Sequence, residues 1–111
     1  MITSLNLNLH SVSQRLTLHP NAPRGLTASS TDTSVSLSWE AVDYVGGIKE
    51  YEIYRNGSYV AKRVGTSFSE SGLTPDTTYS YAVKAVSSNG STSDLSQSVT
   101  VVTKSAAEEG E

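Results

Sequence analysis

The chain has 111 residues, a formal net charge of −3 and no cysteine. That length suits one domain and not two, and it suffices to bury a core without disulfides or thiolate-bound metal. Glu108, Glu109 and Glu111 crowd the C-terminus; without them eight acids face eight dispersed Lys and Arg, so the body lacks the basic footprint that nucleic-acid binding needs.

No apolar run approaches the length of a membrane span, so no membrane insertion is expected. Met1–His10 has neither a basic n-region nor the continuous apolar stretch of a signal peptide. Read as a complete gene product, the chain carries no secretion address; read as an excised piece, that inference lapses.

From the N-terminus, Leu5, Leu7 and Leu9 alternate with Asn6 and Asn8, and Leu16 and Leu18 alternate with Thr17 and His19. Residues 1–20 therefore predict a β arm of one or two amphipathic strands, joined to the body through Pro20-Asn21-Ala22-Pro23. An isolated strand or hairpin is marginal in water. The arm must pack on its own body, pair with a neighbouring chain, or remain disordered. An attachment arm fits it as well as the alternative, the end of a preceding domain or a strand folded onto its own body.

Short alternating strands separated by Gly, Asn, Asp, Ser and Pro then run from Leu26 to Val102, the rhythm of an all-β domain. Val35, Leu37 and Trp39 share one face of a strand. Ile48 to Tyr54 predicts another, with Tyr51 and Ile53 inward. Asn56-Gly57 accepts the positive φ angles of a type I′ hairpin turn, so Ser58 to Lys62 returns antiparallel. Phe68 anchors a short strand. Leu73-Thr74-Pro75-Asp76-Thr77-Thr78-Tyr79 is a Pro-centred turn delivering the chain into a strand that opens on a tyrosine and continues with Tyr81, Val83 and Ala85. Greek-key sandwiches turn the corner between their two sheets in this way. Val99 and Val101 mark the last strand, and residues 105–111 form a flexible acidic tail.

Chemistry-bearing residues are sparse. His10 and His19 lie nine apart with no third ligand beside them, and read more simply as exposed polar groups than as a zinc pair. Glu50 and Glu52 share one strand face, so with Asp43 they read as a solvated face rather than catalytic carboxylates. Asp32, Asp43 and Asp94 match no calcium-loop spacing. Serines are plentiful, but no Gly-x-Ser-x-Gly elbow occurs. The sequence thus predicts no enzyme, no cofactor and no metal. Six tyrosines against one phenylalanine is the unusual enrichment. Tyr54 and Tyr59 flank the hairpin turn, either as an aromatic contact for a protein or a weakly bound sugar, or as a plain cross-strand pair.

As a set, Pro23, Leu26, Trp39, the run Tyr51-Glu52-Ile53-Tyr54-Arg55-Asn56-Gly57, then Leu73, Pro75, Thr77 and Tyr79, with Tyr81, Val83 and Ala85 beyond, resemble a fibronectin type III domain of the kind found in bacterial and phage proteins. The match spans about residues 21–104. It implies an immunoglobulin-like two-sheet sandwich of about seven strands, with Trp39, Tyr51, Ile53, Phe68, Leu73, Tyr79, Tyr81 and Val83 in its core, serving as a spacer or binding module. Integrin-binding members carry Arg-Gly-Asp before the last strand; Ser88-Asn89-Gly90-Ser91 stands here, so that activity does not transfer.

The expected function is a non-enzymatic interaction module. The first expectation is a decoration or attachment subunit on a larger assembly such as a phage virion, with a capsid or tail protein or a second copy engaged by a sheet edge or by the arm through Leu5, Leu7 and Leu9. The alternative is a spacer or accessory domain of a secreted bacterial polysaccharide-degrading enzyme, with weak carbohydrate binding through Tyr54 and Tyr59.

Overall fold

The computed structural model describes residues 19–106. The arm with Leu5, Leu7 and Leu9, together with His10 and the acids after residue 106, lies outside the described residues. Seven strands form: β1 (Thr27–Ser30), β2 (Val35–Ser38), β3 (Ile48–Arg55), β4 (Ser58–Arg63), β5 (Ser67–Glu70), β6 (Thr78–Ser87) and β7 (Val99–Val102). All pairings are antiparallel, in two sheets ordered β1-β2-β5 and β4-β3-β6-β7. This is the all-β, two-sheet sandwich that the alternation predicts.

Side-chain period builds the core. In β2 and just beyond it, Val35, Leu37 and Trp39 turn inward while Ser36 and Ser38 stay exposed. Phe68 joins them from β5, and Tyr51, Ile53, Tyr79, Tyr81, Val83 and Ala85 meet them from the second sheet. Leu73 is only partly buried, packed against this cluster from the β5–β6 turn. Trp39 is 5% exposed and meets Tyr51 edge to face, with ring centroids 5.6 Å apart. The Tyr51 hydroxyl accepts the Val42 N–H at 2.8 Å, which fixes the start of the β2–β3 loop.

Two turns keep this register. Asn56 (φ 52°) and Gly57 (φ 86°) both adopt the left-handed region, as a two-residue hairpin between β3 and β4 requires. At the sheet-to-sheet corner, the Tyr79 hydroxyl accepts the Thr74 N–H at 3.0 Å, locking the turn onto the strand it feeds.

β6 is the strand with least access to water, and its backbone donors find unusual acceptors. Strand β7 pairs only with Thr78–Tyr81. Further along, the Val83 N–H donates to the Ser96 hydroxyl (3.0 Å) and the Ala85 N–H to the Ser93 hydroxyl (2.8 Å). Ser96 and Ser93 return their own N–H groups to the Val83 and Ala85 carbonyls at 2.8 and 2.9 Å. Two residues of β6 thus face three of the neighbouring segment, a spacing no regular ladder tolerates. A hydroxyl replaces the displaced carbonyl at each rung and passes its own proton to the next residue's carbonyl, Asp94 or Gln97.

The long sides of the sandwich close differently. Along one, the Ser30 hydroxyl donates to the Val102 carbonyl (2.8 Å) and the Lys104 N–H to the Thr31 carbonyl (2.9 Å), tying β1 to β7 and the residues after it. Along the other, the Arg63 guanidinium covers the Phe68 ring, 4.9 Å from its centroid.

Trp39→Ala is expected to lose about 3–5 kcal/mol of unfolding free energy through transfer and cavity terms. Ser96→Ala, which strands the buried Val83 N–H, should lose about 1–3 kcal/mol, and Tyr79→Phe about 1 kcal/mol. Urea denaturation midpoints check all three; an unchanged midpoint in Ser96→Ala would show that water or a shifted carbonyl takes over the hydroxyl's place.

Candidate interaction surface

The outward face of the four-stranded sheet carries most of the distinctive side chains. Glu50, Glu52 and Tyr54 alternate outward along β3, against inward Tyr51 and Ile53. Tyr54 and Tyr59 are cross-strand partners with centroids 5.9 Å apart and planes at 76°. The Tyr54 hydroxyl donates to Glu52 at 2.9 Å, and the Lys84 ammonium sits 5.2 Å from the Tyr54 ring centroid. Lys62 stands 3.9 Å from Glu50. Burial, reinforced by the bond to Glu52, raises the Tyr54 hydroxyl pKa above its ordinary value. Because one ring meets the other edge-on, the pair offers no flat platform; its geometry is that of a hairpin-stabilising contact.

A cleft of about 270 Å³ lies beside this pair, walled by Tyr54 and Leu95 and floored by Ser80 and Ala82. Leu95 stands 43% exposed between Ser93 and Ser96, pushed outward by the extra residue in that segment. A broader groove of about 530 Å³ runs between Ala22–Leu26 and Ser96–Ser98. Neither has a carboxylate or histidine on its walls. A third, of about 200 Å³, brings Glu40 and Asp43 together with Arg24 at the exposed start of the β2–β3 loop. Among the described residues no three His, Asp or Glu side chains converge as metal ligands. Glu50 and Glu52, taken from the sequence as a solvated face, are half-buried and already engaged.

Periodicity reasoning overlooked a charged clasp between the sheets. Arg55 of β3 pairs with Glu70 of β5, and the Tyr81 hydroxyl donates to the other Glu70 oxygen at 2.8 Å. The bond to Glu70 raises the Arg55 pKa, and burial followed by the same carboxylate raises that of Tyr81. The signal was present: Arg55 is two residues past inward Ile53, and Glu70 two past inward Phe68. Opposite charges at inward positions of facing sheets are a pair waiting to be drawn.

The sequence pattern that defines the fibronectin type III domain matches residues 21–102. The chain belongs to the fibronectin type III family. Among solved structures, the crystal structure of FN3tt superposes with a TM-score of 0.67 at 26% identity, using 79% of this chain and 98% of that one. Chitinase Chi52 of Paenibacillus xylanexedens is 48% identical over 88 residues, and a poly(3-hydroxybutyrate) depolymerase of Ralstonia pickettii is 46% identical over 87. Each alignment takes in 78% of this chain but 17% of the relative, so the fibronectin type III domain spans less than a fifth of either enzyme's length.

The tyrosine shifts set an alkaline limit. Raised folded-state pKa values mean that the folded domain holds these protons more tightly than the unfolded chain. The stabilisation is therefore full below the unfolded tyrosine value of about 10 and is lost as pH rises beyond it. Denaturant titrations across the alkaline range should show stability falling from about pH 10, with a shallower fall in Tyr81→Phe. An equal slope in that variant would place the lost protons elsewhere.

Proposed function

We propose that this fibronectin type III domain is a non-catalytic accessory spacer within a secreted, multidomain enzyme that degrades an insoluble polymer, a polysaccharide such as chitin foremost. The observation that carries this reading is the near-50% identity to short segments of much longer depolymerising enzymes. These relatives favour the second expectation drawn from the sequence over the decoration subunit, for which they provide no support.

The geometry suits such a role. Residues 20–26 lead into β1 beside Glu40, whose N–H donates to the Arg24 carbonyl. Lys104 leaves beside Thr31 and Asp76, at the far end of the strands. Incoming and outgoing chain therefore lie at opposite poles, separated by a body about 30 Å long, the reach of a ten-residue strand. A linker of equal residue count would fluctuate over a wider range of separations. One relative is a chitinase and another acts on a polyester, so a shared mechanical task explains the shared domain better than recognition of one sugar.

The test joins a chitinase catalytic unit to a chitin-binding module through this domain, or through a Gly/Ser linker of the same residue count. With the domain, hydrolysis of insoluble chitin should run ~2–10-fold faster than with the linker, while soluble oligosaccharides are cleaved equally. Equal rates on insoluble chitin would remove the spacer role. Retention of the isolated domain on chitin would turn the reading towards direct carbohydrate binding.

A further inference from the structure

The chain holds two Asn-Gly-Ser sequences, at Asn56 and Asn89, and the structure treats them differently. An asparagine followed by glycine is prone to self-modification because no side chain shields the next backbone nitrogen. That nitrogen must lose its proton and swing onto the asparagine Cγ. Hydrogen bonds on either partner oppose the movement.

At Asn89 both partners are held. The Gly90 N–H donates to the Ser87 carbonyl at 3.0 Å. The Asn89 Oδ1 accepts from the Ser87 hydroxyl, the Ser91 N–H (3.1 Å) and the Ser91 hydroxyl (3.0 Å). At Asn56 the restraint is lighter. Asn56 and Gly57 form the exposed tip of the β3–β4 hairpin, and the Gly57 N–H makes no hydrogen bond among the described residues. Beyond its chain neighbours the space beside Gly57 is open, as it is beside Gly90, and both Asn-Gly pairs are exposed, so the two sites differ in their hydrogen bonds alone. One bond holds the side chain, from the Ser80 N–H to Asn56 Oδ1 at 2.9 Å.

We propose that Asn56 is a spontaneous deamidation site of the folded domain and that Asn89, of the same local sequence, is protected. The Gly57 nitrogen gives its proton to water or hydroxide and bonds to the Asn56 Cγ. The Cγ–NH2 bond breaks and ammonia leaves with a proton from solvent, closing a succinimide. Water then opens either ring carbonyl, yielding aspartate or isoaspartate. Aspartate adds a negative charge at the rim of the Tyr54–Leu95 cleft, to which Gly57 contributes. Isoaspartate adds a methylene to the backbone of a two-residue turn and disengages the Ser80 bond.

The full chain, incubated in mildly alkaline buffer, is digested with trypsin and mapped by mass spectrometry. Cleavage after Arg55 and Lys62 isolates residues 56–62, and cleavage after Lys84 and Lys104 isolates residues 85–104, in which Asn89 is the one asparagine. The gain of about 1 Da should appear in the first peptide ~10-fold faster than in the second, since more hydrogen bonds must break before Asn89 reacts. In urea the two rates should converge. The proposal is overturned if Asn89 keeps pace in the folded chain, or if the folded chain protects both sites alike. A preference that persists undiminished in urea overturns it too, because the fold would not be its cause.

Discussion

Along most of β6 the backbone donors have to find acceptors out of reach of water, and much of this domain's shape is an answer to that demand. Its inward side chains, Tyr79, Tyr81, Val83 and Ala85, fill the space between the sheets. On one edge β3 supplies a ladder as far as Arg55, and the Asn56 side-chain oxygen takes the Ser80 N–H just past it. On the other edge β7 serves the first four residues, and the hydroxyls of Ser96 and Ser93 serve Val83 and Ala85. Side chains thus stand in for carbonyls wherever strand geometry fails. The outcome is a strand with no open edge, which also denies a ready template for unwanted pairing.

The fold was legible because burial on one face of a strand imposes period two, and the period survives in the sequence. Val35, Leu37 and Trp39 announce one layer, Tyr79 to Ala85 the other, and Asn56-Gly57 and Leu73 to Tyr79 fix where the chain turns. The serine-bridged segment was opaque for a physical reason. Ser93 and Ser96 are three apart, a spacing that matches neither strand nor helix, and a serine among polar residues resembles loop. Their task is visible once the Val83 and Ala85 donors face them. The surface was less legible still. The Asn56-Gly57 turn makes Tyr54 and Tyr59 cross-strand partners, but the 76° between their rings is set by side-chain torsions, which no pattern of residue types encodes.

Charge placement divides the molecule by role. The Arg55–Glu70–Tyr81 clasp spans the two sheets at one margin, partly sheltered, where a broken pair would leave a half-buried charge. The Glu50–Lys62 pair is the opposite case, with its ammonium largely in solvent and a contribution of the small size usual for surface ion pairs. The better-sheltered pair therefore sits between the layers and the more solvated one on the outer face.

The bonds joining β1 to β7 and the residues after it have a mechanical corollary. Both strands run from the incoming pole towards the outgoing one, side by side, with Ser30 held to Val102 and Thr31 to Lys104. Tension applied through the two termini drags these strands past each other, loading their links together in shear instead of unzipping them singly. Force passed through the domain from end to end would therefore meet this seam in its more resistant direction.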